Sequence, residues 1–207
     1  MSKLYIIGAG GHAKVVGEIA ELNGYNNLAF IDKDWPNKKN CEHWKIESSF
    51  ENFQSLSLET FEYIVAIGDN YKRISTIKEM ESSNGKLITL IHPSALVSKY
   101  SSIGPGTIVM AGATINPFCN IGPGCIVNTN ASIDHDCMLE SGVHISPGAH
   151  LAGQVSVSFN TWIGLGASII QDCKIGNNVI IGAGSTVINN VSDNTKVVGS
   201  PARELKE

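Results

Sequence analysis

Two short stretches of the sequence carry residue types that can do chemistry. His135 is followed by Asp136. A neutral imidazole can accept a proton near pH 7, and a neighbouring carboxylate can orient it and raise its basicity. The other stretch, Gly8-Ala-Gly-Gly-His12, follows a short apolar run, and such loops offer backbone N–H groups to a phosphate. Each histidine also has a non-catalytic interpretation: His135 can be an ordinary surface residue, and His12 can simply cap a helix. The structural elements that carry the two residues are therefore needed to choose between these roles.

The composition excludes several classes of protein. The 207 residues carry a net charge of −4 without a basic stripe, so we expect no nucleic-acid partner. No apolar run approaches the ~20 residues of a membrane helix, and the N-terminal segment does not resemble a signal peptide. Five cysteines without a CxxC pair predict neither a disulfide framework nor a metal site. We therefore expect a cytoplasmic protein without a metal.

The composition also changes along the chain. Residues 1–90 hold 22 charged side chains and 7 glycines, whereas residues 91–207 hold 12 and 14. A shift of this size marks a domain boundary, which we place between Leu87 and Ile91. The sequence thus predicts two domains, 1–90 and 91–207.

Residues 91–207 follow a six-residue repeat. Every sixth residue from Ile91 to Val187 is Ile, Leu or Val, seventeen in all, and the fifth place of each repeat is small or narrow. Five of the seven prolines fall at the third place, and Gly, Asn or Asp fills the fourth place in thirteen repeats, as in type II turns. The period fits neither an amphipathic helix nor an alternating strand. It predicts a parallel β-helix in which three repeats close one triangular coil of 18 residues.

The repeat assigns a position to each candidate residue. The first and fifth places should face inward, and the third and fourth places should form outward corners. His135 and Asp136 occupy a third and a fourth place, whereas four of the five cysteines fall at the inward fifth place, where a thiol acts as a small hydrophobe. His144 follows His135 by nine residues, which is half a coil. A single prism therefore turns the two histidines to different sides.

The first 90 residues are predicted to alternate strands and helices. Predicted strands cover 3–7, 28–31, 63–67 and 86–90, and helical patterns run through 15–22 and 74–80. A strand, a glycine turn and a helix form the βαβ unit that cradles phosphate, and Asp32 at the end of the second strand can hold a ribose hydroxyl. The alternatives are a small NAD module and a nucleotide-sugar pocket. Ninety residues are too few for the two-halved dinucleotide fold, so we favour one nucleotide with a group attached.

The repeat and the closing segment Val197-Val-Gly-Ser-Pro-Ala-Arg203 resemble the hexapeptide-repeat acyltransferases. With the start GAGGHAK, the segment IHPSA at the domain junction and Asp134-His135-Asp136, the chain resembles a narrower bacterial family of sugar acetyltransferases. That family includes the N-acetyltransferases of UDP-linked 4-amino sugars of bacillosamine type and the sialic-acid O-acetyltransferases. The resemblance implies a Rossmann-like α/β domain followed by an all-β left-handed parallel β-helix.

The resemblance also implies roles for individual residues. His135 matches the family's catalytic histidine, and Asp136 matches an acid that is often Glu. Gly153 is implied as the N–H donor to the thioester oxyanion. The implied contacts to acetyl-CoA include this glycine together with His144, Leu165 and Ala183. The implied contacts to the nucleotide sugar are Gly10, Gly11, His12, Asp32, Lys33 and Gly68, where the family often has a second acid in place of Lys33.

The function implied by the resemblance is acetyl-CoA-dependent N-acetylation of a UDP-linked 4-amino-dideoxy sugar, for surface-glycan or glycoprotein biosynthesis, with His135 as general base. An O-acetyltransferase of a sialic-acid-like sugar is the alternative in the same fold. A non-catalytic nucleotide-binding scaffold is the alternative from another class, and it would not need His135. The resemblance implies that acetyl-CoA lies near both His135 and His144, which one chain cannot arrange. We therefore expect a homotrimer with sites shared between chains.

Overall fold

The chain divides after Leu90 into two units, Met1–Leu90 and Ile91–Glu207, named unit 1 and unit 2. The computed structural model describes residues 3–54 and 60–205. Unit 1 is α/β, and unit 2 consists of short strands. No helix within the described residues is long and apolar enough to cross a membrane.

A six-stranded sheet forms the centre of unit 1. Its strands are β1 (Leu4–Ile7), β2 (Leu28–Ile31), β3 (Asn40–Cys41), β4 (Trp44–Ser48), β5 (Phe61–Val65) and β6 (Gly85–Leu87), and the helices are α1 (Gly11–Leu22), α2 (Phe50–Gln54) and α3 (Asn70–Met80). The spatial order is β3-β4-β2-β1-β5-β6, and all neighbouring pairs except β3–β4 are parallel. Ile6, Phe30 and Ile64 on the central strands are fully buried, as expected for a parallel sheet.

The carboxyl ends of β1, β2 and β5 lie side by side, because these strands are adjacent and parallel. The loops that follow them contain Gly8, Asp32 and Gly68. In open α/β sheets, ligands bind outside the carboxyl ends of the strands. The nucleotide-binding residues predicted from the sequence all lie in these loops or at the start of α1.

The sequence predicts four strands in unit 1 and misses β3, β4 and α2. In β4, Ile46 and Ser48 are buried, while Lys45 between Trp44 and Ile46 is exposed. Charged residues interrupt β4, so it contains no hydrophobic run from which a strand would be predicted, although it pairs in parallel with β2. The omission therefore follows from the use of apolar runs as the strand signal.

Two predicted strand boundaries are also wrong. The third predicted strand, 63–67, spans Phe61–Val65, and the fourth, 86–90, ends at Leu87. Phe61 and Glu62 join the strand because they pair with β6 and β1. This pairing is a tertiary effect, and no local apolar run records it.

Unit 2 is built almost entirely from two-residue strands. They are β7 (Leu90–Ile91), β8 (Leu96–Val97), β9 (Ser102–Ile103), β10 (Ile108–Val109), β11 (Thr114–Ile115), β12 (Asn120–Ile121), β13 (Ile126–Val127), β14 (Ser132–Ile133), β15 (Met138–Leu139), β16 (His144–Ile145), β17 (His150–Leu151), β18 (Ser156–Val157), β19 (Trp162–Ile163), β20 (Ser168–Ile169), β21 (Lys174–Ile175), β22 (Ile180–Ile181), β23 (Thr186–Val187), β24 (Lys196–Val198) and β25 (Arg203–Glu204). Face 1 contains β7, β10, β13, β16, β19, β22, β24 and β25. Face 2 contains β8, β11, β14, β17, β20 and β23, and face 3 contains β9, β12, β15, β18 and β21.

The coils of unit 2 stack in register. Ile126 pairs with His144, and His144 pairs with Trp162, each 18 residues further along the chain. Three repeats therefore make one coil, as the period of six predicts. The predicted order of an α/β domain followed by a parallel β-helix is confirmed.

The places of the repeat have the predicted environments. Ile133 and Ile145 at the first place are completely buried, as are Cys137 and Ala149 at the fifth place. The fourth place has a left-handed backbone, with φ of 63° at Gly124, 55° at Asn130 and 60° at Asp136. Glycine adopts this conformation freely and Asn and Asp tolerate it, which explains why these types recur there.

We expect Ile133→Asp to unfold the β-helix, because the carboxylate would lie without a partner inside an apolar prism. The free energy of unfolding should fall by about 3–5 kcal/mol. Ser132→Asp on the same strand is the matched control, since Ser132 is only half-buried. Thermal melts followed by circular dichroism should show a loss of the cooperative transition in Ile133→Asp alone. Equal melting temperatures for the two variants would contradict the inward position of the first place.

Candidate active site

His135 and Asp136 form the corner that follows β14. Asp136 occupies the left-handed position of the turn. The imidazole Nδ1 of His135 lies 2.7 Å from Asp136 Oδ2, and the two side chains are 54% and 48% exposed. The structure therefore brings the two predicted catalytic residues together in a pair that is hydrogen-bonded and open to a substrate.

Asp134 holds the backbone of the same corner. Its Oδ1 accepts hydrogen bonds from the His135 amide and from Asn116 Nδ2, both at 2.8 Å. These two hydrogen bonds lower the pKa of Asp134, so its carboxylate is ionised at neutral pH. Neither Asp134 nor Asn116 is assigned a role from the sequence. They are 18 residues apart, and only the register of the coils joins them.

The neighbouring carboxylates raise the pKa of His135. The hydrogen bond with Asp136 is the largest cause, desolvation opposes it, and the charges of Asp134 and Asp136 add to the rise. Because the carboxylate oxygen is an acceptor, Nδ1 carries the proton of the neutral ring and Nε2 presents its lone pair. A histidine in this state is a strengthened general base.

Gly153 lies one coil beyond His135, against its ring. A Cβ on Gly153 would lie 2.6 Å from His135 Cε1 and 2.7 Å from Nε2, so a side chain would displace the imidazole. Third-place amides donate no backbone hydrogen bond in the described β-helix, which is why proline is tolerated there. The N–H of Gly153 has no acceptor among residues 3–54 and 60–205. A free amide beside the candidate base fits the predicted oxyanion donor.

A groove of about 400 Å³ runs along face 2 beside this corner. Its polar lining includes Ser132, Asp134 and His150, and its apolar lining includes Ala152 and Ile170. His150 Nδ1 lies 2.8 Å from Ser132 Oγ. The sequence offers no signal for His150, because Ser132 and His150 are neighbours only through the 18-residue register.

The predicted acetyl-CoA contact His144 lies on face 1, in β16. Its ring stacks on Trp162 with a centroid distance of 6.2 Å, and its Nε2 lies 3.1 Å from Asn128 Nδ2. Trp162 is itself held by a 2.7 Å hydrogen bond from Nε1 to Ser146 Oγ. The imidazole of His144 therefore has a fixed position on face 1.

The other predicted acetyl-CoA contacts share a different corner from the candidate base. Leu165 and Ala183 are exposed third-place residues at the corner between faces 1 and 2, one coil apart. His135 lies at the corner between faces 2 and 3, which is opposite face 1 in a triangular coil. A single chain therefore does not bring His135 and His144 together.

In unit 1, Asp32 shapes the glycine loop after β1. Its Oδ2 accepts a 2.7 Å hydrogen bond from the Ala9 amide, and its Oδ1 accepts a 3.1 Å bond from the Asp34 amide. Helix α1 begins after Gly10 without a side-chain cap and without an acidic residue in its first turn. The amides of Gly11 and its neighbours are thus open to an anion.

His12 lies in the first turn of α1 and is uncharged. Burial, followed by the charge of Arg73, lowers the pKa of His12 to about 4. Its Nε2 is buried and has no hydrogen-bond partner in the described part of the chain. Arg73 is fully buried and donates to the carbonyl oxygens of Ile67 and Gly68 at 3.0 Å. A neutral imidazole suits a hydrogen bond to an uncharged substrate group better than an ion pair with a phosphate.

Two lysines follow β2, and they differ in position. Lys33, a predicted nucleotide contact, is exposed and makes no hydrogen bond with the residues that the structure describes. Lys38 is half-buried, and its Nζ donates a 2.6 Å hydrogen bond to the carbonyl oxygen of Ala9. The sequence does not distinguish Lys38 from Lys33, because only the path of the loop brings Lys38 to the glycine turn.

The possible metal ligands and the cysteine thiols of the described residues form neither a metal site nor a disulfide. Among the described residues, no cluster of three or more His, Cys, Asp or Glu side chains could hold a metal ion. The five cysteines are free and buried.

Comparisons with known proteins identify the family. A family model described as the PglD N-terminal domain matches residues 3–80, and one described as bacterial transferase hexapeptide (six repeats) matches residues 154–189. The acetyltransferase domain of PglB from Neisseria gonorrhoeae FA1090, solved in complex with acetyl coenzyme A, is 39% identical to this chain. The similarity covers 99% of both chains with a TM-score of 0.94. The chain belongs to the bacterial hexapeptide-repeat sugar acetyltransferases. The resemblance read from the sequence is thereby confirmed.

Two further relatives of this chain have names that state the sugar on which they act. A mutant of perosamine N-acetyltransferase from Caulobacter crescentus, in complex with CoA and GDP-perosamine, is 35% identical. It covers 100% of this chain and 98% of its own, with a TM-score of 0.92. UDP-N-acetylbacillosamine N-acetyltransferase of Bacillus subtilis (strain 168) is 37% identical over 114 residues, or 54% of this chain. The match spans about half, 52%, of that curated relative. The roles assigned above to individual residues of the present chain stay predictions.

We expect Gly153→Ala to lower the kcat of acetyl transfer about 100-fold, because displacing the imidazole by an ångström misaligns the candidate base. The backbone of Gly153 is not left-handed, so alanine adds no strain and the melting temperature should hardly change. Ser141→Ala, a third-place change at another corner, is the control and should keep the wild-type rate. A wild-type kcat in Gly153→Ala would contradict the contact with His135.

Proposed function

We propose that this chain transfers the acetyl group of acetyl-CoA to the amino group of a UDP-linked 4-amino-dideoxy sugar, for surface-glycan or glycoprotein biosynthesis. The observation that carries the proposal is the corner at which His135 is hydrogen-bonded to Asp136 beside the free amide of Gly153. The relatives named as acting on amino sugars support the substrate class. One of them is named with a UDP sugar and the other with a GDP sugar, so the nucleotide is part of the test.

The geometry supports direct attack of the amine on the thioester. The neutral amine forms the new C–N bond while Nε2 of His135 accepts its proton, and Asp136 holds the Nδ1 proton of the resulting imidazolium. The negative charge on the thioester oxygen is stabilised by the N–H of Gly153. When the C–S bond breaks, His135 returns the proton to the CoA thiolate. The products are the acetylated sugar and free CoA.

The electrostatics of the corner favour an amine over a hydroxyl acceptor. Asp134 and Asp136 are carboxylates on both sides of His135, and Asp134 Oδ2 makes no hydrogen bond within the described residues. A sugar amine is partly protonated near neutral pH, and an ammonium group is attracted to this negative corner. A sugar hydroxyl gains nothing comparable.

We further propose that the active unit is a homotrimer in the cytoplasm. His135 and His144 lie on opposite sides of one prism, so a site that uses both needs two chains. Closed cyclic symmetry is the usual outcome when identical chains contribute different surfaces to one interface. Five free cysteines fit a reducing compartment.

The direct test is an assay of thiol release with acetyl-CoA and a panel of UDP- and GDP-linked 4-amino sugars, with the product identified by mass spectrometry. We expect an N-acetylated UDP sugar, and a loss of about 100- to 10,000-fold in His135→Ala. The melting temperature of that variant should be nearly unchanged, because His135 is an exposed corner residue. Transfer only to a sialic-acid hydroxyl would replace the proposal by O-acetylation. Nucleotide binding without transfer would indicate a scaffold.

Asp136→Asn should move the acidic limb of the kcat/KM profile to lower pH. His135 acts only when deprotonated, so the rate falls as the pH drops through its pKa, which Asp136 raises. Removing the carboxylate charge lowers that pKa and also lowers the maximal rate modestly. Asp172→Asn is the matched control, since it occupies the same corner position two coils away with φ of 62°. An acidic limb shared by wild type and Asp136→Asn would exclude this role of the carboxylate.

Complementation tests the shared site. Inactive His135→Ala chains and His144→Glu chains are refolded together, and mixed trimers are isolated by two different affinity tags. We expect mixed trimers to regain activity, because some sites combine an intact His135 with an intact His144 from another chain. A monomer by light scattering, or inactive mixed trimers, would overturn the proposal of a trimer.

A further inference from the structure

The ammonium group of Lys38 is part of the glycine loop of unit 1. Its Nζ donates to the carbonyl oxygen of Ala9 at 2.6 Å, next to Gly10, the residue that precedes helix α1. The Sγ of Cys41 lies 3.6 Å from the same oxygen. A cation from the segment after β2 is thus fixed at the carbonyl oxygen of Ala9, in the loop that precedes α1.

The carboxylate of Glu42 interacts with the charge of Lys38 only from beyond ion-pair distance. Lys14 on α1 forms an ion pair with Glu42. Within the described residues, by contrast, no carboxylate lies within ion-pair distance of Lys38 Nζ. Asp32 of the same loop accepts the amides of Ala9 and Asp34. A half-buried ammonium with one hydrogen bond made has further N–H donors for an anion.

The neighbouring groups favour the same kind of ligand. The first turn of α1 has no acidic side chain and no side-chain cap, so its amides can bind an anion. His12 has a buried Nε2 without a partner in the described chain, so this turn has a polar atom available to a ligand. His12 is uncharged, so it adds no positive charge to this loop.

We propose that Lys38, with the amides of the first turn of α1, binds the diphosphate of the nucleotide sugar. The inference rests on the proposed function and deepens it, because Lys38 takes the part that the family resemblance implies for Lys33. An ammonium and several backbone N–H groups together match the non-bridging anionic oxygens of the two phosphates in a diphosphate. CoA also carries a diphosphate, but its predicted contacts all lie in unit 2.

A purely structural role for Lys38 makes a different prediction. If Lys38 only tied the loop to Ala9, its removal would loosen the whole nucleotide pocket and weaken nucleoside and nucleotide alike. If Lys38 binds the diphosphate, its removal weakens ligands in proportion to their phosphates. A series of nucleoside, nucleoside monophosphate and nucleoside diphosphate separates the two roles.

The test is titration calorimetry of the full-length protein with UDP and GDP, followed by the nucleoside and monophosphate of whichever binds more tightly. In Lys38→Met we expect the Kd of the diphosphate to rise about tenfold or more, as for the loss of a charged hydrogen bond. The Kd of the nucleoside and of CoA should stay at the wild-type value. Lys38→Arg should restore most of the affinity, and the salt dependence of diphosphate binding should be weaker in Lys38→Met.

Lys39→Met is the matched control, since it removes an exposed lysine that adjoins Lys38 in the same segment. It should leave the diphosphate Kd unchanged. An unchanged diphosphate Kd in Lys38→Met, or an equal loss for the nucleoside, would overturn the inference while leaving the proposed function intact. A rise in the Kd of CoA alone would assign Lys38 to the acyl donor instead. A wild-type protein that binds neither UDP nor GDP would overturn the nucleotide-sugar substrate itself, and Lys38 with it.

Discussion

The in-register stacking of 18-residue coils is the constraint on which the candidate catalytic corner depends. From β8 to β20, each strand residue pairs with the residue 18 positions later, so Asn116 reaches Asp134 and Gly153 receives the ring of His135. The aliphatic first place maintains this register, because a slip of one residue would turn a buried face to the solvent. Apolar packing inside the prism thus places polar groups outside it within hydrogen-bond distance of one another.

The turn at each corner contributes a second feature, an amide that the backbone ladder does not use. Some corners fill this place with proline, and others tie the amide to a side chain, as Glu140 does for the amide of Phe159. At Gly153 the amide is left free, and the absence of a Cβ makes room for the candidate base. An ordinary element of the repeat can therefore serve as the oxyanion donor without an inserted loop.

The candidate sites of the two units differ in the charged groups that surround their histidines. In unit 2, carboxylates surround a histidine and raise its pKa, which suits proton transfer from an amine. In unit 1, burial beside Arg73 keeps His12 neutral, while Lys38 donates to the carbonyl oxygen of Ala9 and makes no ion pair with a carboxylate among the described residues. A neutral hydrogen-bonding group next to a cation suits a ligand with both uncharged and phosphorylated parts, as a nucleotide sugar has.

The six-residue period was sufficient to predict the coil, its three faces and the outward position of His135. The reason is that a narrow apolar prism requires an aliphatic residue at the first place of all seventeen repeats. The glycine loop after β1 was predictable for a similar reason, since its chemistry is local. Strand β4, the hydrogen bond between Asn116 and Asp134, the contact of His150 with Ser132 and the approach of Lys38 to Ala9 were not predictable. Each depends on residues that are far apart in sequence and meet only when strands pair or loops return to the sheet. No local pattern of residue types encodes such a meeting, so the tertiary fold alone determines which polar side chains surround the candidate base and which lysine reaches the glycine loop.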